Sequence, residues 1–317
     1  MEYLILILSL AGIVLGADFL VKGAVVVARK CRVSSFVIGA VIVGIGTSLP
    51  ELVVSTVGAI GGNSEVAIGN VVGSNIFNVF AILGLTALFF PIAVSRENMK
   101  FEIPFCIAVS ILLMLLVYNF FAVGEPRLGR WDGAALLLVF TSFMWISLRR
   151  GKSSAATVGE SVEEENKSLW FAAFSILGGL AALIVSSNFF VDEAVAIARK
   201  LGVSDAFISI TLLACGTSLP ELAASVTAAV KKDTDMALGN IIGSNIFNAT
   251  MILGTASLIT PLTTGKIGLV DYGAMILAAV LPMIFGIRGK ITRFEGLLML
   301  LCYAAYTWYI VTYVMAV

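Results

Sequence analysis

Long apolar stretches alternate with short polar breaks along the whole chain. Ten of them are long enough to cross a bilayer, for which about 20 mostly apolar residues suffice. They run over 3–27, 36–60, 66–92, 103–121, 132–148, 171–197, 206–230, 236–261, 269–287 and 294–314. The breaks are polar or charged, as at 29–32, 61–65, 95–100, 231–235 and 288–290. The longest connection, Arg149 to Ser168, is serine-rich, carries Glu160, Glu163, Glu164 and Glu165, and reads as a flexible loop. The pattern predicts an all-α polytopic membrane protein with ten transmembrane helices. The apolar N-terminus has the length of a signal-peptide core. However, Glu2 stands where a basic n-region belongs and no clear cleavage site follows, so it reads as the first span.

Composition points the same way. The 317 residues are 59% hydrophobic and 13% charged, with a mean hydropathy of +1.04. A soluble domain is about 25% charged, and no globular core could bury this apolar excess. The formal charge is zero, which leaves no basic excess for nucleic acid. There is no histidine, which removes the usual zinc ligand, the histidine-based triads and any histidine proton relay. Cys31, Cys106, Cys215 and Cys302 are scattered and read as small membrane-core residues.

Lysine and arginine in the connections set the orientation. With the N-terminus outside, the odd-numbered connections hold fourteen basic residues and the even-numbered ones five. That asymmetry predicts both termini outside the cell membrane and the 149–168 connection in the cytoplasm. Lys22 lies one turn beyond Asp18 in the first span and reads as a snorkelling lysine paired at i,i+4.

The chain also repeats itself. GTSLPEL at 46–52 recurs at 216–222, and GNVVGSNIFN at 69–78 recurs as GNIIGSNIFN at 239–248, both at an offset of 170. Over 44–84 against 214–254, 21 of 41 positions are identical. The chain therefore divides into a five-span repeat at 1–150, a loop at 151–168 and a second five-span repeat at 169–317. Five is odd, so the second repeat enters the membrane from the opposite side. Inverted repeats of this kind build many secondary transporters, with sites near the midplane. A shared packing motif would ask only for small or apolar residues. It would not place Glu, Asn, Ser and Thr twice in hydrocarbon, where polar groups are costly.

The polar residues cluster where the helices are weakest. In spans 2 and 7, glycine and proline interrupt the apolar run. Pro50 frees the carbonyl of Gly46, and Ala214, Gly216 and Pro220 repeat the break. Such interruptions, matched between halves, point to a transport site. Glu51 and Glu221 sit midway along these spans with no Lys or Arg beside them in the same span. A bound cation would offset their burial, which costs about 2.5–3.5 kcal/mol each on insertion scales. Thr47 and Thr217 share a helix face with them at i,i+4, and Ser48 and Ser218 follow. The stripes Asn70, Ser74, Asn78 and Asn240, Ser244, Asn248 line spans 3 and 8, where Gly69, Gly73, Gly239 and Gly243 permit close helix approach. For the threonines and serines the competing role is a bond to their own helix carbonyl. For Asn70 and Asn240 an interhelical bond is favoured over ligation. The inventory is all oxygen, which suits calcium and offers nothing to zinc, copper or iron. A nucleophilic serine would need a nearby base, and the motif has none.

These paired motifs resemble the alpha-repeats of the calcium/cation antiporter family, in particular its prokaryotic sodium/calcium exchangers, over nearly the whole chain. The resemblance implies a transporter, not an enzyme, with no cofactor and with Ca2+ and Na+ as transported ions. It implies that Thr47, Ser48, Glu51, Ser74 and Asn78 bind the ions together with Thr217, Ser218, Glu221, Ser244 and Asn248. Backbone carbonyls near Gly44 and Ala214 would join them. Some potassium-dependent relatives carry aspartate at the place of Asn248, so potassium cotransport is not expected. Sliding of spans 1 and 6 against spans 2, 3, 7 and 8 is implied, and a monomer suffices. Two other readings fit the same residues: a proton/calcium antiporter, and a cation channel with a glutamate filter.

Overall fold

A computed structural model describes residues 2–118, 125–153, 168–201 and 214–314. It is helical throughout, with four two-residue strands. The helices are α1 Glu2–Cys31, α2 Ser35–Thr47, α3 Leu49–Ile60, α4 Ser64–Phe89, α5 Arg96–Tyr118, α6 Arg130–Gly151, α7 Leu169–Lys200, α8 Leu219–Val230, α9 Thr234–Ile259, α10 Leu269–Gly286 and α11 Arg293–Thr312. Helices α2 and α3 together form one span bent by 47°. Eight other helices are long and apolar enough to cross a membrane. The seventh expected span is represented by α8 and a single turn at Ala214–Gly216. Its first part, 206–213, lies outside the described residues, as do residues 154–167 of the long connection.

Helix ends are fixed by polar caps at the span boundaries. Ser168 accepts from the N–H of Phe171 at 3.1 Å, and Asp233 accepts from that of Met236 at 3.0 Å. Thr292 and Glu295 cap each other at the start of α11. Each cap satisfies backbone donors that a helix start leaves open. The polar run 95–100 is not an open break. Ser95 accepts from the N–H of Asn98 at 3.1 Å and caps the first turn of α5, Arg96–Lys100. A hydropathy profile cannot find such a turn, because its residues are polar.

Contacts between connections show how the chain alternates across the membrane. On one face, the N–H of Ser34 donates to the Gly151 carbonyl at 3.2 Å and that of Ala93 to Thr234 Oγ1 at 3.3 Å. Strand β1 (Ile92–Ala93) pairs there with β4 (Lys290–Ile291). On the other face, β2 (Arg127–Leu128) pairs with β3 (Leu262–Thr263), Lys266 N–H donates to Glu65 at 2.9 Å, and Lys200 pairs with Glu2 at 2.6 Å. Odd-numbered connections thus meet on one face, and even-numbered ones with the N-terminus on the other. Each ribbon ties one half of the chain to the other.

Helices α1 and α7 pack along most of their length. A Cβ on Gly16 would come within 2.9 Å of the Leu183 nitrogen, and one on Gly179 within 2.6 Å of the Leu20 nitrogen. The glycines let the two backbones touch. Lys22 pairs with Asp18 at 2.6 Å, as its i,i+4 spacing predicts, and Lys231 reaches the same carboxylate at 2.7 Å. The polar core lies among α2, α3, α4, α8 and α9, and α4 and α9 are the most buried spans. Large apolar residues on the outer helices, such as Leu8, Val14, Phe174 and Leu177, are exposed, as a lipid-facing surface requires.

Candidate ion-binding site

Two breaks in the helix ladder create the site. Ser48 sits between α2 and α3, outside both α and β geometry at φ −84°, ψ 10°. Pro50 follows in the first turn of α3, where its missing N–H costs nothing. The second half repeats this with Ser218 at φ −92°, ψ 8° and Pro220. Glu51 and Glu221 therefore occupy the first turns of α3 and α8, where the positive end of the helix dipole favours a carboxylate. Helix α4 is π-helical over Asn78–Leu83 and α9 over Asn248–Ile252. Such π-turns recur at functional sites.

Glu51 and Glu221 are fully buried. Each is braced from the opposite half. Ser48 Oγ donates to Glu221 Oε1 at 2.7 Å, and Ser218 Oγ donates to Glu51 Oε1 at 2.9 Å. Ser218 also lies 3.3 Å from Ser74 Oγ. The second oxygen of each carboxylate, Glu51 Oε2 and Glu221 Oε2, is buried and has no hydrogen-bond partner among the described residues. Asn78 Oδ1, Asn248 Oδ1 and Thr217 Oγ1 are in the same condition. Other such atoms are scattered among the described residues, but here five gather on the paired motifs of the two halves, an arrangement suited to something that attracts oxygen.

The remaining candidates divide. Thr47 Oγ1 donates to its own helix, to the Val43 carbonyl at 3.0 Å, and also lies 3.3 Å from Asn240 Oδ1. Ser244 Oγ donates to the Gly44 carbonyl at 3.2 Å, which also accepts from the N–H of Ser48. Gly44 is therefore a crossing point of α2 and α9 as much as a free carbonyl. Asn70 and Asn240 brace the broken spans. Their Nδ2 atoms donate to the backbone carbonyls of Glu51 and Glu221, each at 3.2 Å, and to Ser55 and Ser225. The side-chain surroundings of Ala214 fall outside the described set.

Glycine lets the helices come close enough for these bonds. A Cβ on Gly239 would strike the Phe36 carbonyl, and one on Gly243 would strike Ala40. Two asparagines, Asn75 and Asn245, belong to this polar set although sequence reasoning gave them no role. They bond to each other's backbone and to Asn248 and Asn78. The available signal was their own duplication, three residues before Asn78 and Asn248.

Among the described residues no group of three or more His, Cys, Asp or Glu is placed to hold a metal. A cation at this site would meet two carboxylates and neutral oxygens, a hard-ligand set of the kind calcium and sodium accept.

Comparison with known proteins identifies the family. The family model described as sodium/calcium exchanger protein matches residues 1–149 and 171–312. Sodium/calcium exchanger MaX1 of Methanosarcina acetivorans is 35% identical over 339 residues, covering 96% of this chain and 97% of that protein. Inner membrane protein YrbG of Escherichia coli is 33% identical, covering 87% of this chain and 86% of its own length. A solved structure of the sodium-calcium exchanger NCX_Mj, soaked with 10 mM Na+ and zero Ca2+, superposes with a TM-score of 0.83 at 32% identity and covers 98% of both chains. With the duplicated motifs, the shared fold and this coverage, the chain belongs to the sodium/calcium exchanger protein family.

Proposed function

We propose that this protein exchanges sodium for calcium across the membrane by alternating access, with Glu51 and Glu221 as the carboxylates both ions compete for. MaX1 and NCX_Mj, similar over nearly their whole length, are named for that exchange. The observation that carries the site assignment is the pair of buried carboxylates, one from each half. Each keeps one oxygen unpartnered while a serine of the opposite half holds the other. Two carboxylates balance one calcium ion, and calcium takes six to eight oxygens. Asn78, Asn248 and Thr217 each offer an oxygen without a partner among the described residues, and Ser48, Ser218, Ser74, Thr47 and Ser244 add further neutral oxygens. Sodium ions would take the same oxygens when calcium leaves, which couples the two fluxes.

Residues 1–150 and 169–317 form the two inverted repeats in this reading, joined by a cytoplasmic loop at 151–168. Both termini lie outside, because basic residues are concentrated in the odd-numbered connections. One chain carries both glutamates, so a monomer contains a complete site. The paired helices α1 and α7 are the moving element. Helix α1 packs on α8, whereas no contact of similar extent joins α7 to α3 among the described residues. One entrance is therefore closed by α1 while its symmetry mate is not.

Equilibrium binding of radioactive calcium to the purified chain, with sodium as competitor, tests the site. Competitive displacement by sodium, and loss of binding in Glu51→Gln and Glu221→Gln, are expected. Calcium binding that survives both substitutions would place the site elsewhere.

A further inference from the structure

Four asparagines of α4 and α9 form a closed set of hydrogen bonds between the two halves. Asn75 Nδ2 donates to the backbone carbonyl of Asn245 at 3.0 Å, and Asn245 Nδ2 donates to that of Asn75 at 3.1 Å. A carbonyl can only accept, so these bonds fix which way both amides face. The Oδ1 of Asn245 then accepts from Asn78 Nδ2 at 3.0 Å, and the Oδ1 of Asn75 accepts from Asn248 Nδ2 at 3.1 Å. With one N–H of each held in this way, the amides of Asn78 and Asn248 turn their Oδ1 atoms away from Asn245 and Asn75. Both of those atoms are buried and have no hydrogen-bond partner among the described residues. The assignment is consistent in one sense only. Turning any one amide over would set a donor against a donor or an acceptor against an acceptor.

We propose that Asn75 and Asn245 are positioning residues that turn the amide oxygens of Asn248 and Asn78 toward the transported cation and thereby set the calcium affinity of the site. The proposal rests on the exchange reading of Glu51 and Glu221. Its physical content is the sign of a dipole. The oxygen end of an amide attracts a cation and the nitrogen end repels it, so an amide free to turn over gives up much of its attraction. Outer partners that orient ligands in this way commonly matter almost as much as the ligands themselves. The competing role is plain adhesion, since asparagines also join membrane helices. Adhesion would make Asn75 matter for stability, but not through Asn248.

A double-mutant cycle separates the two roles. Calcium affinity is measured at equilibrium on the purified full-length chain and on Asn75→Ala, Asn248→Ala and the double variant, with thermal melting alongside. Each single substitution is expected to weaken calcium binding about tenfold. The double variant should be no weaker than Asn248→Ala alone, because no amide remains for Asn75 to orient. The mirrored cycle with Asn245→Ala and Asn78→Ala should behave the same way. If Asn75→Ala does not fold, Asn75→Ser, small and polar, takes its place with the same expected non-additivity. Additive losses, or a lower melting temperature with unchanged affinity, would overturn the positioning role and leave adhesion. A wild-type chain that binds no calcium would overturn the exchange reading itself, a result distinct from either.

Discussion

Ser48 and Glu221 lie 173 positions apart in the sequence, yet the serine hydroxyl donates to the carboxylate at 2.7 Å. Ser218 does the same for Glu51 at 2.9 Å. Each half of the duplicated chain therefore holds the other half's acid, and the site exists only where the repeats interlock.

Removing one brace should weaken the site without abolishing it. A hydrogen bond to a buried charged group is worth about 1.5–3 kcal/mol. Ser48→Ala and Ser218→Ala are each expected to raise the calcium concentration for half-maximal transport by about tenfold or more. Because the braces are reciprocal, the two variants should resemble each other. Calcium-dependence curves in proteoliposomes check this, and a wild-type curve from either variant would deny the serine a part in the site.

The glycine contacts make a stability prediction. Gly243 leaves no room for a Cβ against Ala40, whereas Gly178 on the exposed face of α7 has no described neighbour within 4 Å. Gly243→Val should destabilise the fold by about 1–3 kcal/mol through overpacking. Gly178→Ala should be neutral or stabilising by up to about 1 kcal/mol, since alanine is the better helix former. Thermal melts of the two variants in one detergent give the comparison.

The ion pair between Asp18 and Lys231 bears on the conformational cycle. It joins α1 to the end of α8 at 2.7 Å. At the offset of 170 its counterparts are Asn188 and Gly61, which carry no charge. In the proposed cycle, the entrance beside α1 thus has a latch that its symmetry mate lacks. The pair is partly exposed, so it contributes about 1 kcal/mol or less, at most about fivefold in a two-state equilibrium. Lys231→Met should shift the population toward the state with this entrance open. A cysteine at Leu222, which lines the apolar groove between α1 and α8, should then react faster with a membrane-permeant thiol reagent in a background lacking native cysteines. An unchanged rate would remove the latch from the cycle.

Much of this architecture was legible in the residues. Ten apolar runs, a repeat at one offset and two glutamates without basic neighbours in their spans led to the broken spans and to the family. The i,i+4 pair Asp18–Lys22 followed from spacing alone. What the sequence left hidden was contact across the halves. Nothing in GTSLPE says that its serine serves the other repeat's acid, because that depends on how α3 and α8 cross. Asn75 and Asn245 looked like filler within GSNIFN, since their value lies in hydrogen bonds to backbone and amide groups 167–173 positions away. The interlocked ribbons β1–β4 and β2–β3 escaped for the same reason: two-residue strands have no periodicity to read.

The most direct test of the central claim is calcium uptake into proteoliposomes loaded with sodium and diluted into choline, with a pH jump as control. The account predicts uptake that requires internal sodium and disappears in both Glu51→Gln and Glu221→Gln. Uptake driven by the pH jump without sodium, or calcium running down its own gradient with no counter-ion, would contradict it.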